Sequence, residues 1–300
     1  MGLSLDGKAA IVTGAGRGIG RATASLLARL GASVVVNDIG ASTSGTGEDA
    51  GPAEALAREI VAAGGSAVAN TDSVVGFESA GRIVAAAVAH FGRVDILVNN
   101  AGISAGGAIW ELEPDVFARV TRTHIDGTYN CTRHAVPHMR EAGWGRIVNL
   151  VSRSGLIGIP GTAAYGTGKG GIFGFTNVVS RDLAPFGITV NGVNPASTDT
   201  RMVGEAIEKG RRAGGEMARR AESLNALLQQ PEDVAVMIAA LCSEEASAIT
   251  GQFFFVRGTE IGVFRPLALA DTTSRDTPWS AEALAHALCA LEIPPLDSPY

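Results

Sequence analysis

An excess of basic charge is the first thing this sequence lacks: Lys and Arg number 24 against 30 Asp and Glu, a net of -6 with a pI near 5.4. Such a surface has no field to gather nucleic acid or an anionic membrane, so both are set aside as partners. Cysteine is scarce as well. Cys131, Cys242 and Cys289 are odd in number and widely spaced, with no C-x-x-C pair, which suggests neither a disulfide framework nor a zinc site. No metal is expected, and a reducing cytoplasm fits. No apolar run approaches the ~20 residues that cross a bilayer. The start, "MGLSLDGKAAIVTG", lacks the charged head, apolar run and small-residue cleavage site of a secretory signal. A soluble, unprocessed, cytoplasmic protein is the expectation.

What is present is core-forming material: 46% of the 300 residues are hydrophobic and 18% charged, the balance of a compact chain rather than a disordered one. Seven β-rich runs recur: "AAIVTG" from Ala9, "SVVVND" from Ser33, "SAVANTD" from Ser66, "VDILVNNAG" from Val94, "RIVNLVS" from Arg146, "TVNGVNP" from Thr189 and "QFFFV" from Gln252. Most are continuously apolar, the mark of strands buried on both faces of a parallel sheet. Helical patterns fill the intervals at 19–30, 53–63, 77–91, 114–141, 163–184 and 231–242. This alternation predicts an α/β protein: one doubly wound parallel sheet of about seven strands, helices on both faces, ligands beyond the carboxyl ends of the strands. With no short-period repeat and no proline-rich linker, residues 1–300 read as one domain.

Three stretches break the rhythm. "IGASTSGTGEDAGP", 39–52, is a glycine- and serine-rich insertion, read as a surface loop near whatever the second strand holds. Residues 197–230, with weak helical periodicity, read as a lid. Residues 257–300 carry five prolines and end in "EIPPLDSPY", an extended tail that wraps the body or meets a neighbouring subunit.

Two motifs carry chemistry. "TGAGRGIG", 13–20, runs from a strand into a helix; Gly14, Gly18 and Gly20 permit a tight turn and backbone approach to a pyrophosphate, which the free N–H groups of the helix N-terminus favour. About 20 residues on, Asp38 can accept from a ribose diol and would repel a 2′-phosphate, so NAD is expected rather than NADP; otherwise it is a solvated loop residue. The second motif is "AAYGTGKGGIFGF", 163–175. Tyr165 and Lys169 stand one helical turn apart on one face. Yet Gly166, Gly168, Gly170, Gly171 and Gly174 each weaken a helix by about 1 kcal/mol, so close packing or a ligand must offset them.

"TGAGRGIG" at 13, "NNAG" at 99, Ser152 thirteen residues before Tyr165, and Tyr-x-x-x-Lys at 165–169 together resemble the classical short-chain dehydrogenase/reductase family over roughly residues 5–256. The resemblance implies a single-domain Rossmann fold and an enzyme that moves hydride between a nicotinamide dinucleotide and a secondary alcohol or ketone. A phenol titrates near pH 10, but a neighbouring ammonium and a positive nicotinamide ring favour its anion. Tyr165 is then the general base or acid, Ser152 stabilises charge developing on the same oxygen, and Lys169 also binds the nicotinamide ribose. By the same resemblance the cofactor lies on Gly14, Arg17, Gly18, Ile19 and Gly20, with Asp38, Asp72, Ser73, Asn99, Ala101, Gly102, Pro195, Thr198 and Thr200 around it. Asp72 is the adenine partner and Thr200 touches the carboxamide; Asp72 and Asn99 could instead be ordinary turn residues.

Two positions depart from the family pattern. His124 stands where an asparagine usually completes a catalytic tetrad, so it is read as a proton-relay substitute, or else as a buried histidine bonded to backbone. Ala196 replaces a glycine after Pro195. Within the family the chain is most similar to the branch of peroxisomal multifunctional (3R)-hydroxyacyl-CoA dehydrogenases, the 17-beta-hydroxysteroid dehydrogenase type 4-like branch. The similarity rests on "VVVNDIG" with its insertion, on "AGGSAVANTDSV" and on His124. It implies a small-molecule substrate, an acyl-CoA or a steroid-like or terpenoid alcohol, and a homodimer or homotetramer. An acyl-carrier-protein reductase and a non-catalytic scaffold rank lower. Lys209, Arg211, Arg212, Arg219 and Arg220 in the lid could hold CoA phosphates or form a solvated helix face.

Overall fold

The computed structural model describes residues 2–264 and 271–291; the "EIPPLDSPY" end of the expected tail lies outside them. The chain divides into two compact units, residues 1–263 and 264–300. The described part of the smaller one holds a single helix, α10 (Ala281–Leu288), whose N-cap Ser280 accepts from Ala283 N–H.

In the larger unit, β1 (Ala9–Thr13), β2 (Ser33–Asn37), β3 (Ser66–Asn70), β4 (Ile96–Asn99), β5 (Gly145–Leu150), β6 (Ile188–Pro195), β7 (Phe253–Arg257) and β8 (Glu260–Val263) form one sheet in the order β3-β2-β1-β4-β5-β6-β7-β8. The first seven strands are parallel. The eighth adds an edge to the expected sheet of about seven strands: it pairs antiparallel with β7, Arg257 opposite Glu260, on a two-residue turn opened by Gly258 at φ +56. Only glycine enters that region freely, and a two-residue hairpin demands it. Residues 260–263, expected in an extended tail, are therefore an edge strand.

Alternation along the strands supplies two cores. Val12, Val34, Val36 and Val98 point to one face, packed with Leu27 of α1 (Gly18–Arg29), Leu56 of α2 (Gly51–Ala62) and Ile238 of α9 (Pro231–Leu241). Ile11, Val35, Leu97 and Ile147 point to the other, with Ile83 of α3 (Phe77–Phe91) and Met139 of α4 (Pro114–Ala142). Each such buried side chain contributes about 1.5–3 kcal/mol, so every middle strand must be apolar on both sides. That is why the runs lack alternation. The helices start and stop on local signals: α4 has Pro114 in its first turn and ends at left-handed Gly143, and α9 opens with a reciprocal Gln230–Asp233 capping box.

Past β6, residues 201–226 form two helices, α7 (Arg201–Ala213) and α8 (Gly215–Ala226), broken at Gly214. Between β5 and α6 (Ala163–Leu183) lies the single turn α5 (Arg153–Leu156). Among the described residues no helix is long and apolar enough to cross a membrane.

Candidate active site

β1 and β4 are neighbours although their chain connections leave in opposite directions, which opens a crevice at the carboxyl ends of the strands. A cavity of about 710 Å³ occupies it, within the range of small-molecule and cofactor sites. Its floor is the glycine turn. Gly14 and Gly18 take φ +63 and +53, and a Cβ on Gly20 would lie 2.2 Å from the Gly14 carbonyl. Gly20 is thus a packing residue outside the lining, while Gly14, Arg17, Gly18 and Ile19 line the cavity. α1 begins at Arg17 with no side-chain cap, so its first N–H groups keep their donors for an anion. Sequence reading missed Asn100, whose amide donates to the Thr13 and Gly14 carbonyls at 2.9 Å each and holds the turn. Its signal is the second Asn of "NNAG", one residue past the strand.

Asp38 lines the cavity at the end of β2. Its carboxylate accepts from Gly16 N–H at 2.7 Å and Gly40 N–H at 2.6 Å, which fixes it while each oxygen keeps a further lone pair. Asp72 and Ser73 also face the cavity, but the Asp72 carboxylate accepts from Arg82 at 2.7 Å and from the Asn70 amide at 2.9 Å. Ala101, Gly102, Pro195 and Thr200 complete this part of the wall; Thr200 doubles as the N-cap of α7, accepting from Val203 N–H. Asn99 and Thr198 stand outside it. The Asn99 amide is buried in the sheet, donating to Asn149 at 2.9 Å, and the Thr198 hydroxyl donates to the Ala196 carbonyl and accepts from Gln229. Neither lines the cleft.

The opposite wall is α6. Tyr165 and Lys169 line the cavity, with Nζ 5.8 Å from the phenol ring centre. Lys169 is buried and donates to the Leu150 carbonyl at 2.6 Å; burial pushes its ammonium down to about 7. Burial also raises the Tyr165 phenol above its ordinary value, against a lowering hydrogen bond from Ser152. Burial thus opposes ionisation of the phenol, and the Ser152 hydrogen bond favours it. Ser152 is outside the lining, beside Tyr165, and its hydroxyl accepts from Ser154 N–H at 3.2 Å as the N-cap of α5.

Four of the five glycines of α6 now have close neighbours; Gly174 has none within 4 Å among the described residues. A Cβ on Gly168 would lie 2.9 Å from that of His124, and one on Gly171 2.8 Å from Ile125. A Cβ on Gly155 of α5 would fall 2.3 Å from the Gly170 nitrogen. Close packing of α4, α5 and α6 offsets the helix cost. His124 sits in this seam, buried, edge-on to Tyr165 at 5.3 Å. Its Nε2–H donates to the Ile103 carbonyl at 2.8 Å, and Nδ1 has no partner among the described residues. Burial, then the charge of Lys169, push it down to about 3, so the ring is neutral and the buried Nδ1 keeps a bare lone pair.

Two of the lid cations are engaged with carboxylates, Arg211 with Glu222 at 2.7 Å across α7 and α8 and Arg212 with Glu208 at 2.7 Å; the Arg220 side chain lies outside the described residues. Residues of the 39–52 insertion, with Ile103, Arg119, Arg201 and Met202, also line the cavity; sequence reading left the insertion merely nearby.

The family model for short chain dehydrogenases matches residues 8–211. A peroxisomal hydratase-dehydrogenase-epimerase of Neurospora crassa is 35% identical over 88% of this chain, which spans only 27% of that protein's length. A cyclohexanol dehydrogenase of an Acinetobacter species is 36% identical, with 86% of this chain and 96% of that protein covered. A crystal structure of a short chain dehydrogenase from Mycobacterium avium superposes with a TM-score of 0.81 at 34% identity, covering 98% of each chain. The glycine turn, the Tyr165–Lys169 wall and these matches together establish that the chain belongs to the short-chain dehydrogenase family, oxidoreductases that act on CH–OH groups of small molecules with a nicotinamide cofactor.

Proposed function

We propose that the protein is an NAD-dependent oxidoreductase that interconverts a secondary alcohol and a ketone, and that its substrate is a 3-hydroxyacyl-CoA. The observation that carries this reading is Tyr165, paired with buried Lys169, on one wall of the cavity whose floor is the glycine turn. The uncapped N–H groups of α1 and the missing Cβ atoms of the turn fit a pyrophosphate. The Asp38 carboxylate fits a ribose diol and disfavours a 2′-phosphate.

A dinucleotide held there would supply the hydride acceptor and, when oxidised, a positive charge that favours the phenolate. Tyr165 takes the carbinol proton during oxidation and returns it during reduction. Ser152 donates to the substrate oxygen, a bond worth more as negative charge grows there. Lys169 holds the nicotinamide ribose and biases the phenol toward its anion; its own titration near 7 makes that bias depend on pH. His124 cannot carry the proton as an imidazolium, because it stays neutral above about pH 3. Its Nδ1 lone pair instead fixes a water through which Lys169 exchanges protons with solvent. Of the other assigned residues, those that line the cavity, Asp72, Ser73, Ala101, Gly102, Pro195 and Thr200, hold the cofactor; the protein works in the cytoplasm as a homodimer or homotetramer.

The thioester substrate draws support from the similarity to hydratase-dehydrogenase-epimerases. A steroid or terpenoid alcohol is the second reading. It is favoured by exposed Ile109, Trp110 and Ile157 on two loops that Gly107 N–H joins by donating to the Gly161 carbonyl at 3.0 Å, four residues before Tyr165. The test is NAD or NADP reduction with (3R)-hydroxyacyl-CoA thioesters beside a hydroxysteroid and cyclic-alcohol panel. Thioester turnover faster with NAD is expected. Turnover confined to the alcohol panel would replace the substrate, and none with either would remove the assignment.

A further inference from the structure

The 39–52 insertion is a folded loop. Asp49 N–H closes it onto the Ile39 carbonyl at 2.9 Å, and inside it Thr46 O accepts from Ser42 N–H at 2.8 Å and Ser42 O from Gly45 N–H at 3.0 Å. It leaves β2, yet its far end bonds to α7, which follows β6, four strands away in the sheet order, about 19 Å at the usual strand spacing. The Ala41 carbonyl accepts from Arg201 Nη2 at 2.8 Å, and the Thr43 hydroxyl donates to the Glu205 carboxylate. On the way it meets the β4 and α4 side: Thr43 O accepts from Ser104 N–H at 2.9 Å and Ser44 O from Arg119 Nε at 3.0 Å. A Cβ on Gly45 would lie 2.6 Å from Ile103 Cδ1. Near its root, Asp49 faces Arg17 of the glycine turn at 3.9 Å.

Residues of both the insertion and α7 line the same cavity. A loop that spans a cleft and is bonded at both banks must move before anything larger than the remaining opening can leave. We propose that the insertion is a strap latched to the lid through Arg201 and Glu205, and that release of the dinucleotide requires the latch to open. This rests on the reading of the cleft as a dinucleotide site. Arg201, Glu205 and Thr43 are positioning residues in this arrangement: their bonds go to each other's segments. The strap makes movement of the lid and retention of the cofactor one event, because α7 cannot swing out while Ala41 and Thr43 hold it.

The test is NADH release followed by stopped-flow fluorescence in the wild type, Arg201→Ala, Thr43→Val and, as a control on the same helix, Arg212→Ala. Release at least about fivefold faster is expected for the first two variants, from loss of one charge-assisted hydrogen bond each; Arg212→Ala should match the wild type. NADH bound by all four with unchanged release would overturn the gate alone. Failure of the wild type to bind NADH would overturn the cleft reading and the gate with it. Hydrogen exchange of the ligand-free protein reports the latch independently: Arg201→Ala should speed exchange at the Ser104 and Ser42 amides, and unchanged protection there would refute the latch.

Discussion

Lys169 offers the sharpest energetic consequence of the site. Its ammonium is buried, with its one hydrogen bond among the described residues to the Leu150 carbonyl, and it titrates at about 7 rather than 10.5. A base whose folded pKa is depressed binds fewer protons in the native state, so stability falls as pH drops from about 10.5 to about 7 and is flat below that window. The 3.5-unit difference between those values corresponds to roughly 4 kcal/mol of lost stability at pH 7 and about 2 kcal/mol at pH 9. Lys169→Met keeps the stem and removes the ionisable amine, while leaving the Leu150 carbonyl without this donor costs about 1–2 kcal/mol. The variant should therefore be more stable than the wild type by about 2–3 kcal/mol at pH 7, with the advantage shrinking by about 2 kcal/mol at pH 9. Urea unfolding of the ligand-free proteins at the two pH values measures both quantities. A variant less stable at pH 7, or an advantage that does not shrink with pH, would refute the claim that the lysine is held at the expense of the fold.

His124, pushed from 6.5 to about 3, should make the wild type lose stability as pH falls from about 6.5 toward 3, since the unfolded chain takes up a proton that the native ring refuses; in His124→Asn this part of the acid sensitivity should vanish from urea midpoints at pH 7 and 4.5. Gly168→Ala adds a Cβ 2.9 Å from that of His124 and should cost about 1–3 kcal/mol in spite of alanine's better helix propensity. The cost should disappear in a His124→Gly background; an equal loss there would place the strain elsewhere. Asp38→Ser removes the carboxylate from the cavity wall and should shift the NADP-to-NAD ratio of kcat/KM by at least about tenfold toward NADP, because about 1.4 kcal/mol of relieved repulsion is a tenfold change. An unchanged ratio would mean that cofactor choice is set elsewhere.

Most of the frame was legible because burial on both faces leaves an unambiguous mark. β1, β2 and β3 begin at the predicted residues Ala9, Ser33 and Ser66, and the predicted helix over 77–91 is α3 itself. The elements that escaped reading are those whose hydrophobic content is low. β8, "EIGV", is an edge strand with mostly exposed residues, although Gly258-Thr259 between two β-prone runs is a hairpin signal. α7 is interrupted by Gly204 and Gly210 and held by ion pairs such as Arg212–Glu208 that periodicity does not register. In the site, Tyr165, Lys169 and the glycine turn were readable because their spacing is local. The roles of Asn100 and of the insertion were not, since both depend on contacts between segments 60 to 160 residues apart. Burial of the pair was not readable for the same reason: it is a property of α4, α5 and β5 packing around α6, not of the Tyr-x-x-x-Lys spacing.

The assignment of Tyr165 as the group that exchanges the substrate proton is tested most directly by Tyr165→Phe in single-turnover oxidation, with NADH binding measured on the same preparation. The expected result is a rate lower by at least about 10³-fold with a dissociation constant for NADH within a fewfold of the wild type. A variant that binds NADH normally and still transfers hydride at a comparable rate would contradict it.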